Sequence, residues 1–594
     1  MKITKSTFME YVRCPRYAAL NNLHKEKDLS INKERYYDLL RSLELEIDES
    51  ELDDIDLVKT SSEHLEVMMP YFNEIELLLG KKVENYFRGK SLYSNVYGEQ
   101  KLFTKKYKDN ELLCYVDIYN ESEKINIIEV KATTTNKFIG LGYTEKGADF
   151  SIFEKDKDNV LRLKEFSDPE CLKNKKYMNA RGKLFDRFDS VGAYVYDLAF
   201  QRFVIEDEIK GADYYLGVLN HEFVFDGQYA DGQPFYGDNI GALIDLTAIT
   251  ELMQDQIRID IDKVLGYIES DKLGRVMLGK YCQNKKMREC IYKKYCFDIL
   301  PEKNNLLMYI NNHCGFKDAA GVNHDRFDLI QDGKVGMLDI GEDMLTRENN
   351  IIQRGVVKAG KPYYNLKKIK DGIAKLKYPI YHLDFESFPC PLPRFEGEKP
   401  YTQSVFQFSL HVENAPGVCN KETDHCEFLA DSHEDTREAL MQKLCENIKD
   451  DDGSVLVYNK SFESSRLKEL AVYYPAYADK LNNIISRLFD LMDIVKTNTK
   501  FYQAMGYSEA EAKELNFYNE DLAGSYSIKK VLPIFSHLTY KGMEVGNGME
   551  AVYTYASFPK LNKALFDKKY TALLEYCKQD TWAMVEILDS LRKL

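Results

Sequence analysis

Cysteine placement constrains the fold of this chain more than any other feature. Cys14 stands alone near the start, in Arg13-Cys14-Pro15, and three more crowd together far downstream: Cys282, Cys290 and Cys296, in YCQNKKMRECIYKKYCF. A metal or cluster bound by one early and three late thiols would close the first half of the chain on itself, so that everything between them folds as one unit. The other cysteines (Cys114, Cys171, Cys314, Cys390, Cys419, Cys426, Cys445 and Cys577) are scattered and read as buried or incidental thiols. With no charged-then-apolar leader the chain is expected in the cytoplasm, where a disulfide framework is not expected.

At 594 residues the chain is too long for one core, and two to four domains are expected. Apolar residues make up 44%, enough for sizeable interiors, yet no run of eighteen occurs, so no membrane span or membrane partner is expected. The net charge of −15 does not advertise nucleic-acid binding, but such binding depends on local patches. Residues 80–109 hold eight Lys/Arg against three Asp/Glu, and residues 280–294 hold six against one around two late cysteines. Either run alone reads as a solvated face. Their position around the carboxylates described next turns them toward a polyanion.

The opening residues read as a short helix with Ser6 or Thr7 as N-cap. Residues 31–95 look helical, with apolar positions at three-and-four spacing through YFNEIELLLGKKVENYF. Strands are expected at Val96–Phe103, Leu112–Tyr119 and Lys124–Lys131. Residues 135–185 read as a polar, irregular insertion. A strong amphipathic helix follows at Ser190–Glu206, then a strand at Tyr214–Val224 and helix through 250–300. The stretch 301–375 reads as a connector. From Tyr378 a new α/β pattern runs to the end.

In Glu129-Val130-Lys131, at the end of INIIEVKAT, the period of two puts Glu129 and Lys131 on one face of a strand. Asp117, in CYVDIY, belongs to the preceding strand, and a hairpin would bring it alongside. Two carboxylates can hold a divalent cation, and the lysine can orient or deprotonate an attacking water. The tripeptide alone reads as an exposed salt bridge on a sheet, since Glu-x-Lys is common; its context turns it toward the site. With Gln201 following on a helix in DLAFQRF, the arrangement resembles the PD-(D/E)XK nuclease superfamily in its RecB-like branch. The cysteine layout is similar to the subset carrying a [4Fe–4S] cluster, as in the AddB subunit and CRISPR-adaptation nucleases. That resemblance implies a cluster on Cys14, Cys282, Cys290 and Cys296. Intervals of seven and five residues match no zinc-finger pair, although zinc remains the competing metal. Where the branch often has a metal-binding His upstream, this chain offers Glu84, and Ile205 stands where a Tyr often follows the Gln.

The second pattern begins with Asp384-Phe385-Glu386 at the end of the apolar strand Pro379–Leu383, both carboxylates on one side. SVLVYNKSFESSRLKEL then runs from strand into helix with Asn459 and Glu463 at the junction. LLEYCKQDTWAMVEIL places Tyr576 and Asp580 four apart on one helical face. Together these resemble the three motifs of the DEDD exonucleases, tyrosine variant, on an RNase H-like fold. Glu463 stands where that family usually has Asp. The resemblance implies Asp384, Glu386, Glu463 and Asp580 as ligands of two metals, with Tyr576 beside the attacking water. Asp493 in DLMDIVK reads as a further acid or as a structural cap.

The whole arrangement, with HLDFES and GSYSIKKVLP, resembles a bacterial two-nuclease family. The expected fold is α/β and multidomain: a PD-(D/E)XK-like domain over 1–300, a connector over 301–375, and an RNase H-like domain over 376–594. The expected function is a metal-dependent nuclease using Mg²⁺ or Mn²⁺, with a 3′-to-5′ exonuclease at the C-terminus, in DNA processing, repair or phage defence. DNA is favoured and RNA is not excluded, because neither motif reads the 2′-hydroxyl. Arg88-Gly89-Lys90-Ser91 ends like a phosphate loop, but Glu84 stands where its first glycine belongs. Any helicase or defence-system component would therefore be a separate partner. Two alternatives stay open: a nucleic-acid-binding scaffold with degenerate sites, and a redox-responsive regulator that loses its first domain with its cluster.

Overall fold

The computed structural model describes residues 1–23, 57–94, 99–270, 277–279, 282, 290, 292–312 and 315–594. The helix expected over 31–56, the strand start at Val96 and most of the basic run 280–294 lie outside them. Contacts divide the described chain into two compact units, one of described residues within 1–23 and 57–293 together with 390–402, the other within 294–389 and 403–594.

The first unit is built on a seven-stranded sheet. In spatial order its strands are Lys90–Tyr93, Ile118–Glu121, Ile125–Thr134, Asp213–Leu219, Gly241–Asp245, Val160–Leu163 and Phe153–Lys155. Ile125–Thr134 runs parallel to Asp213–Leu219 and antiparallel to Ile118–Glu121. Successive residues of a strand face opposite sides, and both sides are covered. Ile127, Leu216, Val218 and Ile244 join a core with Val195, Leu198 and Ala199 of the helix Gly192–Ile205 and Ile257 and Ile261 of the helix Gln254–Ser270. The long helix Leu57–Phe87 packs on the other side. A Cβ added to Gly241 there would lie 2.7 Å from Cδ2 of Leu79, so the helix approaches at a distance only glycine permits.

Three sequence expectations change in this unit. The strand expected over Leu112–Tyr119 is two strands, Asn110–Val116 and Ile118–Glu121, that enter different sheets and break at Asp117. The segment 135–185 is not irregular: Phe153–Lys155 and Val160–Leu163 extend the main sheet, and Gly142–Glu145 pairs with Ala148–Ser151. These runs are too short for periodicity to reveal them. The first helix, Lys5–Tyr11, is capped by Thr4, whose hydroxyl accepts the Thr7 N–H at 3.1 Å, rather than by Ser6 or Thr7.

The second unit holds a five-stranded sheet in the order His425–Leu429, Gln403–Glu413, Ile380–Pro389, Val455–Val457, Leu488–Asp490. Gln403–Glu413 runs antiparallel to both His425–Leu429 and Ile380–Pro389, and the last two strands run parallel to Ile380–Pro389. Tyr381, Leu383 and Phe385 turn one way into a core with Leu440, Leu444, Leu467, Leu470 and Leu481 from three helices. The 30-residue helix Lys563–Arg592 packs on the sheet as well, through Ile380–Pro389 and Gln403–Glu413.

Residues 301–375 are an integral part of this unit and not a linker. Tyr363–Tyr364 pairs with Phe517–Tyr518, and the buried Lys368 ammonium donates to the carbonyls of Glu511 at 2.9 Å and Glu514 at 2.6 Å. Burial holds that ammonium down at about 8. Conversely, residues 390–402, which join Ile380–Pro389 to Gln403–Glu413, count with the first unit. There the Glu398 carboxylate closes a turn by accepting the N–H groups of Arg394 and Phe395, and the Glu398 carbonyl accepts from Phe225 N–H at 2.8 Å. Among the described residues no helix is long and apolar enough to cross a membrane.

Candidate metal centres

In the first unit the broken strand delivers Asp117. Its Oδ2 accepts the Val130 N–H at 2.8 Å, which seats it one residue from Glu129 and Lys131 on the neighbouring strand. Glu129 and Lys131 turn together toward the helix Gly192–Ile205, as strand alternation requires. There Gln201 donates to Glu129 Oε2, and the Lys131 ammonium lies 2.9 Å from Glu129 and 2.6 Å from Asp197. Lys5, from the first helix, donates to Glu129 and lies 3.5 Å from Asp197. Burial, then the carboxylates of Glu129 and Glu76, push the Asp117 carboxyl well above its usual range; Lys5 and the Val130 N–H oppose this. A divalent cation would relieve that like-charge strain.

Asp117, Glu129, Lys131 and Gln201 thus meet as expected, while Glu84 does not join them. Glu84 is exposed and accepts from the Tyr93 hydroxyl at 3.2 Å. The acid that the long helix turns inward is Glu76, only 7% exposed. Its signal was present in the sequence: Phe72, Glu76, Leu79 and Val83 form one stripe at helical spacing, interrupted by a single carboxylate. Asp197, one turn before Gln201 in a helix buried along its length, was equally legible. Lys5 carried no such mark.

All four candidate cysteines lie among the described residues, as free thiols. Cys14 Sγ accepts the Tyr17 N–H at 3.3 Å and Cys282 Sγ the Gly279 N–H at 3.5 Å. The Cys290 N–H donates to the Cys282 carbonyl at 3.2 Å. Burial raises the Cys290 thiol, and Arg13, beside Cys14, counters this. Tyr292 packs edge-on against Tyr17 and its hydroxyl donates to Asn21 at 3.0 Å, tying the late segment to the early one. Cys296 ends the helix Lys293–Cys296 and counts with the second unit. No disulfide links the described cysteines.

In the second unit Asp384 and Glu386 lie in mid-strand, because Ile380–Pro389 runs longer than its apolar start indicates. A bulge after Glu386 shifts the register with Gln403–Glu413, a feature that re-aims strand side chains. Asp384, Glu386 and Asp580 offer carboxylate oxygens all within 4.8 Å of one another, among the described residues the one such group of His, Cys, Asp or Glu. Glu463, in the first turn of the helix Lys460–Tyr473, is buried at 2% exposure. Burial and then the Asp384 charge raise its carboxyl well above the ordinary range. The Cys577 thiol donates to Asp384 Oδ2 at 3.5 Å and is itself pushed far up by burial and by the acids around it.

Tyr576 is buried one turn before Asp580, its ring 6.1 Å from that of Tyr540. Tyr540, which no motif flagged, donates its hydroxyl to Asp580 Oδ1 at 2.6 Å. Asp493 stays outside the group: Asn498 donates to it at 2.8 Å, and burial raises it to about 6. The cap of its helix is Asp490, which accepts the Met492 N–H at 2.9 Å.

Residues 381–527 match the family model described as a domain of unknown function, DUF2779. The match spans Asp384, Glu386 and Glu463 and stops before Tyr540, Tyr576 and Asp580. The chain is 31% identical over 328 residues to the uncharacterized protein UU173 of Ureaplasma parvum, covering 50% of this chain and 45% of that protein. It is 30% identical over 247 residues to the uncharacterized MG366 homolog of Mycoplasma pneumoniae, covering 37% of this chain and 33% of the relative. MG366 of Mycoplasma genitalium is 28% identical over 243 residues, with the same coverage of 37% and 33%. The chain therefore spans less than half the length of these curated relatives. No solved structure matches.

Proposed function

We propose that this chain is a metal-dependent nuclease whose second unit is a 3′-to-5′ exonuclease and whose first unit is a RecB-like PD-(D/E)XK nuclease domain. The observation that carries the reading is the convergence of Asp384, Glu386 and Asp580, from one strand and one helix distant in sequence, to within 4.8 Å. Phosphodiester hydrolysis by two cations roughly 4 Å apart needs such a cluster, which clamps the attacking and leaving oxygens. Glu463 would supply the fourth carboxylate, and its raised carboxyl marks a place where positive charge is wanted. The sheet order, with three antiparallel strands followed by two parallel ones, is that expected of an RNase H-like domain.

For the first unit Asp117 and Glu129 would hold Mg²⁺ or Mn²⁺, with the Glu76 charge nearby, and Lys131 would orient the attacking water. A cluster on Cys14, Cys282, Cys290 and Cys296 would be structural: it would pin the N-terminal helices that carry Lys5 to the segment bearing Tyr292. A second reading of this unit is favoured by one observation. Glu129 is shared by Lys5, Lys131 and Gln201, so its charge is already met by protein groups. In that reading the first unit binds nucleic acid and the second cuts it. DNA is the favoured substrate, in processing, repair or phage defence.

The test is digestion of end-labelled single- and double-stranded DNA and RNA with Mg²⁺ or Mn²⁺. Stepwise shortening from the 3′ end supports the proposal. Intact ends on every substrate, with retained binding, would replace it by the scaffold reading.

A further inference from the structure

We infer that Tyr540 is a positioning residue for the second metal centre, acting through Asp580. This rests on the reading of that centre as a metal-dependent nuclease. Tyr540 lies between the helices Ile528–Phe535 and Gly548–Ser557, beyond the segments that supply the carboxylates. Its hydroxyl donates to Asp580 Oδ1 at 2.6 Å, the length of a strong bond to a charged acceptor. Both residues are 7% exposed, so little water competes for that bond.

A donor on Oδ1 fixes the plane of the carboxylate and with it the direction of Oδ2. Such outer partners of metal ligands typically account for roughly 10–100-fold in metal affinity. The Lys529 ammonium stands 5.9 Å from the ring centres of both Tyr540 and Tyr576, at the outer edge of cation–π reach, and adds only weakly to the placement of the phenol. The opposite role is equally concrete: a phenol on Oδ1 could be a cap that a metal must displace.

The chain supplies its own probe, because its one tryptophan, Trp582, stands two residues after Asp580. Paramagnetic Mn²⁺ bound at Asp580 should quench it, and the midpoint of that titration reads metal affinity without any turnover. Tyr540→Phe should raise the midpoint by roughly 10–100-fold, while the exonuclease rate at saturating Mn²⁺ returns to within a few-fold of wild type. Asp580→Asn should stay inactive at every concentration. An unchanged midpoint in Tyr540→Phe overturns the inference, and so does a lowered one, which would mark Tyr540 as a cap. Should Tyr540→Phe fail to fold, Tyr540→Met carries the same test: it also removes the hydroxyl from Asp580, and an unshifted midpoint overturns the inference. If wild-type Trp582 does not respond to Mn²⁺ and no substrate is cut, the metal-centre reading falls first and takes this inference with it.

Discussion

The Lys131 ammonium lies closer to Asp197, at 2.6 Å, than to Glu129 on its own strand, at 2.9 Å. All three side chains are at most 3% exposed, so this is a buried charge cluster and not the surface salt bridge that Glu-x-Lys usually makes. Removing one member of such a pair leaves the other charge uncompensated in a poorly solvated place, which costs about 3–5 kcal/mol. Asp197→Asn should lose stability of that order in denaturant unfolding. The double variant Asp197→Asn with Lys131→Met should lose clearly less than the two single losses added. Additive losses would show that the two side chains are not coupled.

Glu76 and Glu84 sit on the same helix with opposite predictions. Glu76→Gln should weaken Mn²⁺ binding in the first unit, because Glu76 is among the charges that raise Asp117. It should also stabilise the metal-free protein slightly by easing repulsion. Glu84→Gln should do neither, since Glu84 is exposed and engaged with Tyr93. Calorimetric Mn²⁺ titration of the two variants in an Asp384→Ala background separates them. Equal behaviour would show that the Glu76 charge does not act on the bound metal.

How much of this was legible in the sequence depends on the kind of signal. Alternation alone put Glu129 with Lys131 and Asp384 with Glu386, because a strand's period of two leaves no choice of face. Four-residue spacing likewise put Tyr576 and Asp580 on one side of a helix. Glu76 is legible as an acid inside an apolar stripe, whereas Glu84, nearer the strands in sequence, lies on the exposed face of the same helix. Lys5 and Tyr540 reach their carboxylates through tertiary folding, and no local pattern marks them. The split at Asp117 was hidden because both halves read as one alternating run. The strands within 135–185 were hidden because three- and four-residue runs carry too little periodicity.

Three histidines of the second unit set a pH limit on its stability. Burial lowers His382 from its ordinary value, and takes His411 to about 3 and His425 to about 4. The unfolded chain takes up these protons below about 6.5, where the folded chain refuses them. The stability they contribute is therefore complete above that pH and falls progressively as pH drops toward 4. The raised carboxyls of Asp117, Glu463 and Asp493 act in the opposite direction over the same range, so the histidine share is read as a difference. Between about pH 6.5 and 5 the Tm of the metal-free wild type should change less favourably than that of a His411→Gln, His425→Gln variant. An identical pH dependence in the two proteins would mean these histidines protonate in the folded state.

Anaerobically purified protein should be brown and carry about four irons per chain if Cys14, Cys282, Cys290 and Cys296 hold a [4Fe–4S] cluster. Cys14→Ala should lose the iron and, by releasing the N-terminal helices, weaken the first unit. Exonuclease activity of the second unit should persist, which distinguishes a structural cluster from a regulator of the whole chain. Zinc without iron in an anaerobic preparation would contradict the cluster.

The central claim is that the acids gathered around Asp384 form a nuclease centre. Its most direct measurement is the rate of 3′-end removal from labelled linear single strands in Mn²⁺, comparing wild type with Asp384→Ala and Lys131→Ala. Loss of a metal ligand forfeits several kcal/mol of transition-state stabilisation, so Asp384→Ala should fall by about 10³-fold or more while its fold persists. Lys131→Ala should leave this end-removal rate unchanged and affect only cleavage of circular substrates, which have no end. An Asp384→Ala protein that trims linear strands at the wild-type rate would contradict the account.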